Sequence, residues 1–322
     1  MATLRDVASA AGVSPATASR ALSAPDTVSM AKRHQVIEAA ERLNYKPNRS
    51  AQALASGQSR HIGLVLPDLA NPSFAAIAKG VQAQARGTRY SVLVADTDED
   101  PRAERAIVRD LQTSVDGLVL CSPRMPEEEI RECAAAGPLV LVNREVDGLP
   151  SVTFDSAAGV TQALQHLRAL GHHRVAYVGG PEASWSDAHR RRALGTVEGV
   201  DVVDVGAHRP IHTGGVAAAD LALGTGATAI LCYNDLIALG VLSRLRTRGV
   251  DVPNDISVVG FDDIGAATYV APTLTTVAIP LTRAGQEATS LLSQVRDTSA
   301  DGTPVRLPVE LVVRDSSGPA PA

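Results

Sequence analysis

The 322-residue chain reads as an α-helical helix-turn-helix headpiece joined to an α/β body of two Rossmann-like lobes. Three observations predict this. Residues 1–60 carry 8 basic and 4 acidic side chains, a net +4, while the rest nets −9 within a total of −5. Residues 4–22 hold two short amphipathic stretches separated by a glycine. From residue 61 onward, apolar runs alternate with helical stretches, and the series occurs twice. A basic arm on an acidic body suits a nucleic-acid-binding module carried by a domain that phosphates repel. With 45% apolar residues the chain can bury a core, which argues against wholesale disorder. No apolar run approaches the ~18 residues of a membrane span. The charged N-terminus, MATLRDVASAAGVS, does not read as a secretory leader. Cys121, Cys133 and Cys232 are too few and too scattered for a disulfide framework or a zinc site, so a reducing cytoplasm is expected.

Leu4, Val7, Ala8 and Ala11 recur at helical spacing and predict a first short helix over residues 4–11. Gly12 follows where a helix is left through a left-handed conformation. Ser14-Pro15 reads as an N-cap and a proline at the first helical position, opening a second helix from about Pro15 to Leu22. SAPDT breaks the pattern, and Ser29 caps a third helix with Val36, Ile37, Ala40 and Leu43 on one face. A small three-helix bundle without a ligand satisfies this pattern too. The outward side chains of the second helix favour DNA, because Pro15, Ala16, Thr17, Ser19 and Arg20 are small, hydroxylated or cationic. Small residues let a helix approach base edges, hydroxyls reach phosphates, and arginine can bind guanine bidentately. Beyond Asn44-Tyr45-Lys46-Pro47-Asn48, the segment RSAQALASG is helix-capable but barely two turns long, hence marginal alone in water. It fits an ordinary interdomain linker equally well.

The segments TLRDVASAAGVSPATASRALSAPDTVS and LNYKPNRSAQALASGQSRHIGLVLPDLANPSF resemble the LacI/GalR family of bacterial transcription regulators. The likeness continues through RVAYVGG, Arg192-Ala193-Leu194-Gly195, AILCYND, ISVVGFDDI and PTLTTV, nearly the whole chain. It implies a headpiece over residues 1–57 with a hinge helix at about 48–56 that folds only on the operator. Residues 61–322 would form an effector-binding and dimerisation body, periplasmic-binding-protein-like of type I. Its lobes would span about 61–155 plus 280–308, and about 156–279 plus 309–322. The resemblance makes Leu54 the apolar wedge that kinks DNA from the minor groove. Arg20 would read a base in the major groove, with apolar contacts from Pro15 and Ala16. Thr3, Ser14, Thr17, Ser19, Asn48, Arg49, Ala51 and Ala55 complete the implied DNA surface. Ala18 departs from the larger aliphatic residue usual in the family, which should loosen packing behind the recognition helix.

In the body, strands are expected at Ile62–Leu66, Ser91–Ala95, Gly117–Leu120 and Leu139–Val142, then at Arg174–Val178, Val200–Val205, Ala229–Cys232 and Ser257–Gly260. Helices are expected at Phe74–Arg86, Pro101–Leu111, Thr161–Leu170 and Leu236–Arg248. Continuous apolar strands between helices mean parallel sheets covered on both faces, with ligands at the strands' carboxyl ends. Asn71, Ser73, Phe74, Asp96, Trp185, Arg192, Asn234 and Asp262 follow strands and are the candidate effector residues. Amides, carboxylates, guanidinium groups and aromatic faces are what polyols bind. Each Asp could instead be a helix cap, Asp155 and Asp235 most of all. Of Arg190-Arg191-Arg192, two read as solvated and Arg192 as the cleft arginine. The passage 193–215 is shorter than the family's, and Pro210 replaces an aromatic that often lines the pocket.

His172-His173 occupies a helix-to-strand turn, where adjacent histidines rarely converge on one metal, and Gly224-Thr225-Gly226 precedes a strand rather than following one. No catalytic, metal or cofactor site is read, and the tail SSGPAPA reads as short and disordered, without a tetramerising coiled coil. The expectation is a repressor binding a pseudo-palindromic double-stranded operator as a homodimer, with no membrane partner, in the cytoplasm on the nucleoid. Its effector would be a sugar or sugar derivative, alternatively a purine or nucleoside acting as corepressor. A periplasmic-type sugar-binding protein is disfavoured by residues 1–57. An NAD-dependent enzyme is disfavoured because IGLVLPDLANPS stands where a glycine fingerprint would be.

Overall fold

The structure is a computed structural model describing residues 2–23, 25–45, 58–298 and 304–321. It divides into two compact units, Met1–Ser59 and Arg60–Ala322.

In the first unit, α1 (Leu4–Ala10) starts at a capping box: Asp6 N–H donates to Thr3 Oγ1, and Thr3 N–H returns 2.8 Å to the Asp6 carboxylate. Gly12 leaves it at φ +63°. Ser14 Oγ accepts from Thr17 N–H at 3.2 Å and opens α2 (Pro15–Ser23). A 3-10 turn (Pro25–Thr27) leads to α3 (Met30–Arg42). Ser29 stands at the N-cap of α3, but its side chain makes no capping bond, contrary to expectation. The core is Val7, Ala8, Ala18, Ala21, Val36, Ala39 and Ala40. Residues this small let three short helices pack closely, and Ala18 is fully buried among them.

The second unit holds two parallel-sheet lobes. Lobe 1 contains β1 (His61–Leu66), α4 (Pro72–Gly87), β2 (Ser91–Asp96), α5 (Pro101–Gln112), β3 (Leu118–Cys121), α6 (Glu127–Ala136), β4 (Leu139–Val142) and β5 (Ser151–Phe154). The chain then enters lobe 2: α7 (Ser156–Ala169), β6 (Arg174–Gly179), α8 (Trp185–Ala193), β7 (Asp201–Ala207), α9 (His212–Gly224), β8 (Ala229–Cys232), α10 (Asp235–Thr247), β9 (Ser257–Asp262) and β10 (Thr275–Ala278). It returns to lobe 1 for α11 (Leu281–Thr298) and β11 (Val305–Leu307), and ends in lobe 2 with β12 (Glu310–Val312). The sheet orders are β11-β5-β4-β3-β1-β2 and β12-β10-β9-β8-β6-β7, parallel throughout except for the antiparallel β10–β12 pair.

Both faces of each sheet are covered. In lobe 1, Leu64, Leu66 and Val140 pack under α4 and α11, while Val65, Leu118 and Leu120 pack under α5 and α6. Backbone-to-backbone contact joins one helix pair in each lobe. A Cβ on Gly80 of α4 would lie 2.0 Å from Thr282 O of α11, and one on Gly215 of α9 would lie 1.9 Å from Ile237 O of α10.

The tail is not disordered. Ser316 is fully buried, its hydroxyl donating to Val258 O (2.6 Å) and accepting from Thr275 N–H (2.8 Å). Ala320 N–H reaches Leu170 O at 2.8 Å. His172 is structural: its Nε2 meets the carbonyl of Gly318 at 3.0 Å and its Nδ1 meets Thr228 Oγ1 at 2.9 Å. A carbonyl only accepts, so Nε2 carries a proton, and burial favours the neutral ring. Burial lowers its pKa accordingly.

Candidate functional site

On the headpiece, Pro15, Ala16 and Arg20 are exposed on α2, and Thr17 and Ser19 are half-buried beside them. Ser14 Oγ sits 2.9 Å from Thr17 Oγ1 at the helix start, and Thr3 is exposed at the start of α1. Arg20 rests on its own helix, its Nε donating to Ala16 O at 3.4 Å. One cationic side chain over a surface of small residues can reach a groove floor without steric obstruction. Asn48, Arg49, Ala51, Leu54 and Ala55 lie outside the described residues.

The carboxyl ends of both sheets face a cleft of about 430 Å³, part of it open to solvent. Five expected residues line it: Asn71, Ser73, Phe74, Asn234 and Asp262. Asn71 and Asn234 are at once lining residues and N-caps, accepting from Ser73 N–H (3.0 Å) and Ile237 N–H (2.9 Å). Asn234 also donates to Pro210 O at 2.9 Å, which fixes the wall where an aromatic was missed. Ser73 Oγ–H of lobe 1 donates across the cleft to Asp262 Oδ2 of lobe 2 at 2.7 Å. Burial pushes the Asp262 carboxyl up to about 6, with Arg190 and the Ser73 bond pulling the other way. Asp155 is only a cap, accepting from Ala158 N–H. Asp235 is locked in the core by Thr276 Oγ1–H and Ile264 N–H, and burial raises its pKa strongly.

Three expected residues do not line the cleft. Asp96 is exposed and holds the loop after β1, accepting from Leu69 N–H (2.7 Å) and Asp98 N–H (2.8 Å). Arg192 is exposed, and Trp185 stacks on His189 with ring centroids 3.8 Å apart. Trp185, His189 and Arg192 are spaced i, i+4 and i+7, so they share one face of α8. The opposite face carries Arg190, which is buried and lines the cleft. Its guanidinium lies 3.5 Å from the Phe261 ring centroid and 4.8 Å from that of Tyr233, and donates to Tyr233 O. Its Nε is buried with no partner. Arg191 is not solvated either, being paired with Asp187 and Asp204.

Lobe 1 contributes residues that the sequence reading missed: Glu99 after β2, Ser122 and Arg124 after β3, and Asn143 after β4. The same strand-end rule would have found them. Arg124 is buried, donating from Nε and Nη2 to the two Glu99 oxygens at 2.5 and 3.0 Å and from Nη1 to Ser122 O at 3.0 Å. Behind it, the fully buried Glu104 carboxyl accepts Arg124 N–H and Met125 N–H, both at 2.8 Å. Burial raises Glu104 to about 7 against those bonds. Asn143 Nδ2 donates to Ser122 Oγ at 2.9 Å, leaving its buried Oδ1 unpaired.

Backbone strain collects at the same place. Of nine non-glycine residues with positive φ among the described residues, six (Asp98, Glu99, Ser122, Asn143, Asp262 and Asp263) terminate β9 or follow β2, β3, β4 and β9. Such clusters mark sites whose side chains must be aimed rather than relaxed. A cleft of this kind, with paired charges, amides, hydroxyls and aromatic rings from both lobes, can grip a small polar molecule and couple it to lobe closure. Among the described residues no helix is long and apolar enough to cross a membrane.

Residues 3–48 match the family model for bacterial regulatory proteins of the lacI family, and residues 164–317 match the periplasmic binding protein-like domain. The HTH-type transcriptional repressor CytR of Escherichia coli (strain K12) is 33% identical, over 99% of this chain and 97% of that protein. The Lac repressor dimer bound to operator and the anti-inducer ONPF superposes with a TM-score of 0.88 at 31% identity, covering 98% of this chain and 99% of that one. A LacI-family regulator from Enterococcus faecalis V583 with bound ribose superposes with a TM-score of 0.73 at 29% identity, over 80% of this chain and 99% of that one. The chain is a member of the lacI family of bacterial regulatory proteins.

Proposed function

We propose that the protein is a sequence-specific transcriptional repressor that binds double-stranded operator DNA as a homodimer and is switched by a sugar or sugar derivative in the interlobe cleft. The observation that carries this reading is the Ser73–Asp262 bond across the cleft. A ligand that inserts hydroxyls there exchanges one lobe-to-lobe contact for others and shifts the closure equilibrium. No residue in the cleft is assigned a catalytic role, and the protein works in the cytoplasm on nucleoid DNA.

On DNA, α2 enters the major groove. Arg20 reads a base, Pro15 and Ala16 make apolar contacts, and Thr3, Ser14, Thr17 and Ser19 hold phosphates. Asn48, Arg49, Ala51 and Ala55 carry the contacts beside Leu54, which wedges between base pairs. Two headpieces demand two half-sites, hence a pseudo-palindrome. A hundredfold change in operator affinity needs only about 2.7 kcal/mol of coupling from the cleft. The aromatic walls Phe74, Phe154 and Tyr233 also favour a second reading, a nucleoside whose base stacks there.

A thermal-shift screen of sugars, polyols and nucleosides, followed by operator titration with the hits, tests both readings, because a cleft ligand stabilises the fold by mass action. The proposal fails if no stabilising ligand changes operator affinity. In a binding-site selection, Arg20→Ala should cost roughly 1–3 kcal/mol and relax one base position. Unaltered preference would make Arg20 a phosphate contact only.

A further inference from the structure

Four formal charges line the cleft, and they cancel: Glu99 and Arg124 from lobe 1, Asp262 and Arg190 from lobe 2. Behind Arg124 lie the buried Glu104 carboxyl and the half-buried Arg144. Three of the five Arg124 guanidinium N–H donors are committed to Glu99 and Ser122, so two remain for a ligand. Among the described residues that line the cleft, the unpaired buried side-chain atoms are one acceptor, Asn143 Oδ1 on lobe 1, and one donor, Arg190 Nε on lobe 2. A hydroxyl group both donates and accepts and can satisfy both walls. A carboxylate or a fully ionised phosphate ester group only accepts: it leaves Asn143 Oδ1 bare, and on Arg124 it meets the Glu99 carboxylate already in place. Displacing Glu99 would strand a partly buried charge.

We propose that the Glu99–Arg124 pair is a specificity element that makes the cleft take an uncharged polyhydroxylated effector and reject its phosphate ester. This rests on the cleft being the effector site. The pair works by presenting a neutral hydrogen-bonding edge instead of a free cation. Its removal from the acid side should therefore convert the cleft into an anion site.

The test uses the full-length protein in thermal-shift titrations at constant ionic strength. The probes are inorganic phosphate and three matched pairs: D-ribose and ribose 5-phosphate, D-galactose and galactose 1-phosphate, cytidine and its 5′-monophosphate. Wild type should show no saturable stabilisation by phosphate or by any ester beyond that of its neutral partner. Glu99→Gln should gain saturable binding of phosphate or esters, about tenfold or more tighter than wild type, and the Glu99→Gln/Arg124→Gln double variant should lose it again. Glu99→Ala removes the same charge with a smaller side chain and should show the same gain, so the test survives if Glu99→Gln folds poorly. Preference of wild type for phosphate or an ester, or absence of any anion gain in both single variants, overturns the proposal. Failure of the effector reading looks different: a compound stabilises the protein and leaves operator affinity unchanged.

Discussion

Lobe 1 presents Arg124 with its guanidinium fastened to Glu99 and its backbone N–H fastened to Glu104, and Ser122 with Asn143 bonded to it. Lobe 2 presents Arg190 with an unpartnered buried Nε, and Asp262 on a backbone at φ +116° whose carboxylate takes its hydrogen bond from Ser73 of the other lobe. The sheets have equivalent strand orders, so the difference lies in the loops. It separates two jobs. On the proposed reading, lobe 1 is the pre-organised wall against which a ligand would be positioned. On the same reading, lobe 2 holds the groups whose bonding would change when a ligand arrives or the lobes part, and so would register occupancy.

The sharpest way to break this division is Asp262→Ala. Removing a buried carboxylate that a ligand engages should cost roughly 2–5 kcal/mol of ligand affinity and eliminate the ligand response. Operator binding by the unliganded protein should persist. A retained response in an operator gel-shift titration would move the sensing role off lobe 2.

Glu104→Gln probes the wall. The Glu104 pKa rises on folding from 4.5 to about 7, so the folded state holds this proton more tightly than the unfolded chain does. The associated stability is full below 4.5 and is lost as pH rises through about 7, roughly 3 kcal/mol at most. Asp262 acts in the same direction between 3.8 and about 6. Glu104→Gln keeps an oxygen acceptor for the Arg124 and Met125 N–H groups and cannot titrate. Relative to wild type it should gain stability between pH 5 and pH 8 in denaturant melts. A difference independent of pH would show that Glu104 does not titrate in this range.

Ser73→Ala is the mildest of the three. Loss of one neutral-to-charged hydrogen bond should cost about 1–3 kcal/mol of lobe closure, visible as an expanded unliganded state by small-angle scattering. It also removes a bond that lowers the Asp262 pKa, which should rise above about 6 in the variant. An unchanged scattering curve would mean that other contacts hold the lobes. The exposed Asp98–Arg209 pair, 3.5 Å apart across the cleft, is a weak alternative because solvent screens it.

The sequence made the local features legible. The capped helices of the headpiece and the long apolar strands each carry their signal within about ten residues. What escaped was non-local or a matter of phase. Placing Arg192 in the cleft with Trp185 was consistent, since seven residues bring them to one helix face, but that face, with Trp185 half-buried and Arg192 exposed, does not line the cleft, and Arg190 does. Glu99 and Arg124 are 25 positions apart and meet only because β2 and β3 flank β1. The strands β11 and β12 are only three residues long, and β5 (SVTF) and β10 (TTVA) carry Ser or Thr where the equally short β3, β4 and β8 are continuous apolar runs. The tail has the composition of a loose end, and is fixed by partners more than 40 residues away, Val258 and Thr275 among them.

The chain crosses between lobes three times, after β5, after β10 and after β11. That has a consequence for synthesis on the ribosome. Lobe 1 is begun first, yet it waits for α11 and β11, while lobe 2 waits for β12 and the tail. Each lobe thus stays open, with an uncovered helix face or sheet edge, until almost the whole polypeptide has emerged. The headpiece has no such dependence: its three helices are adjacent in sequence and can fold while the body is still being made. A product cut short near residue 280 would therefore carry a DNA-binding surface without a completed cleft, and its exposed edges would mark it for removal.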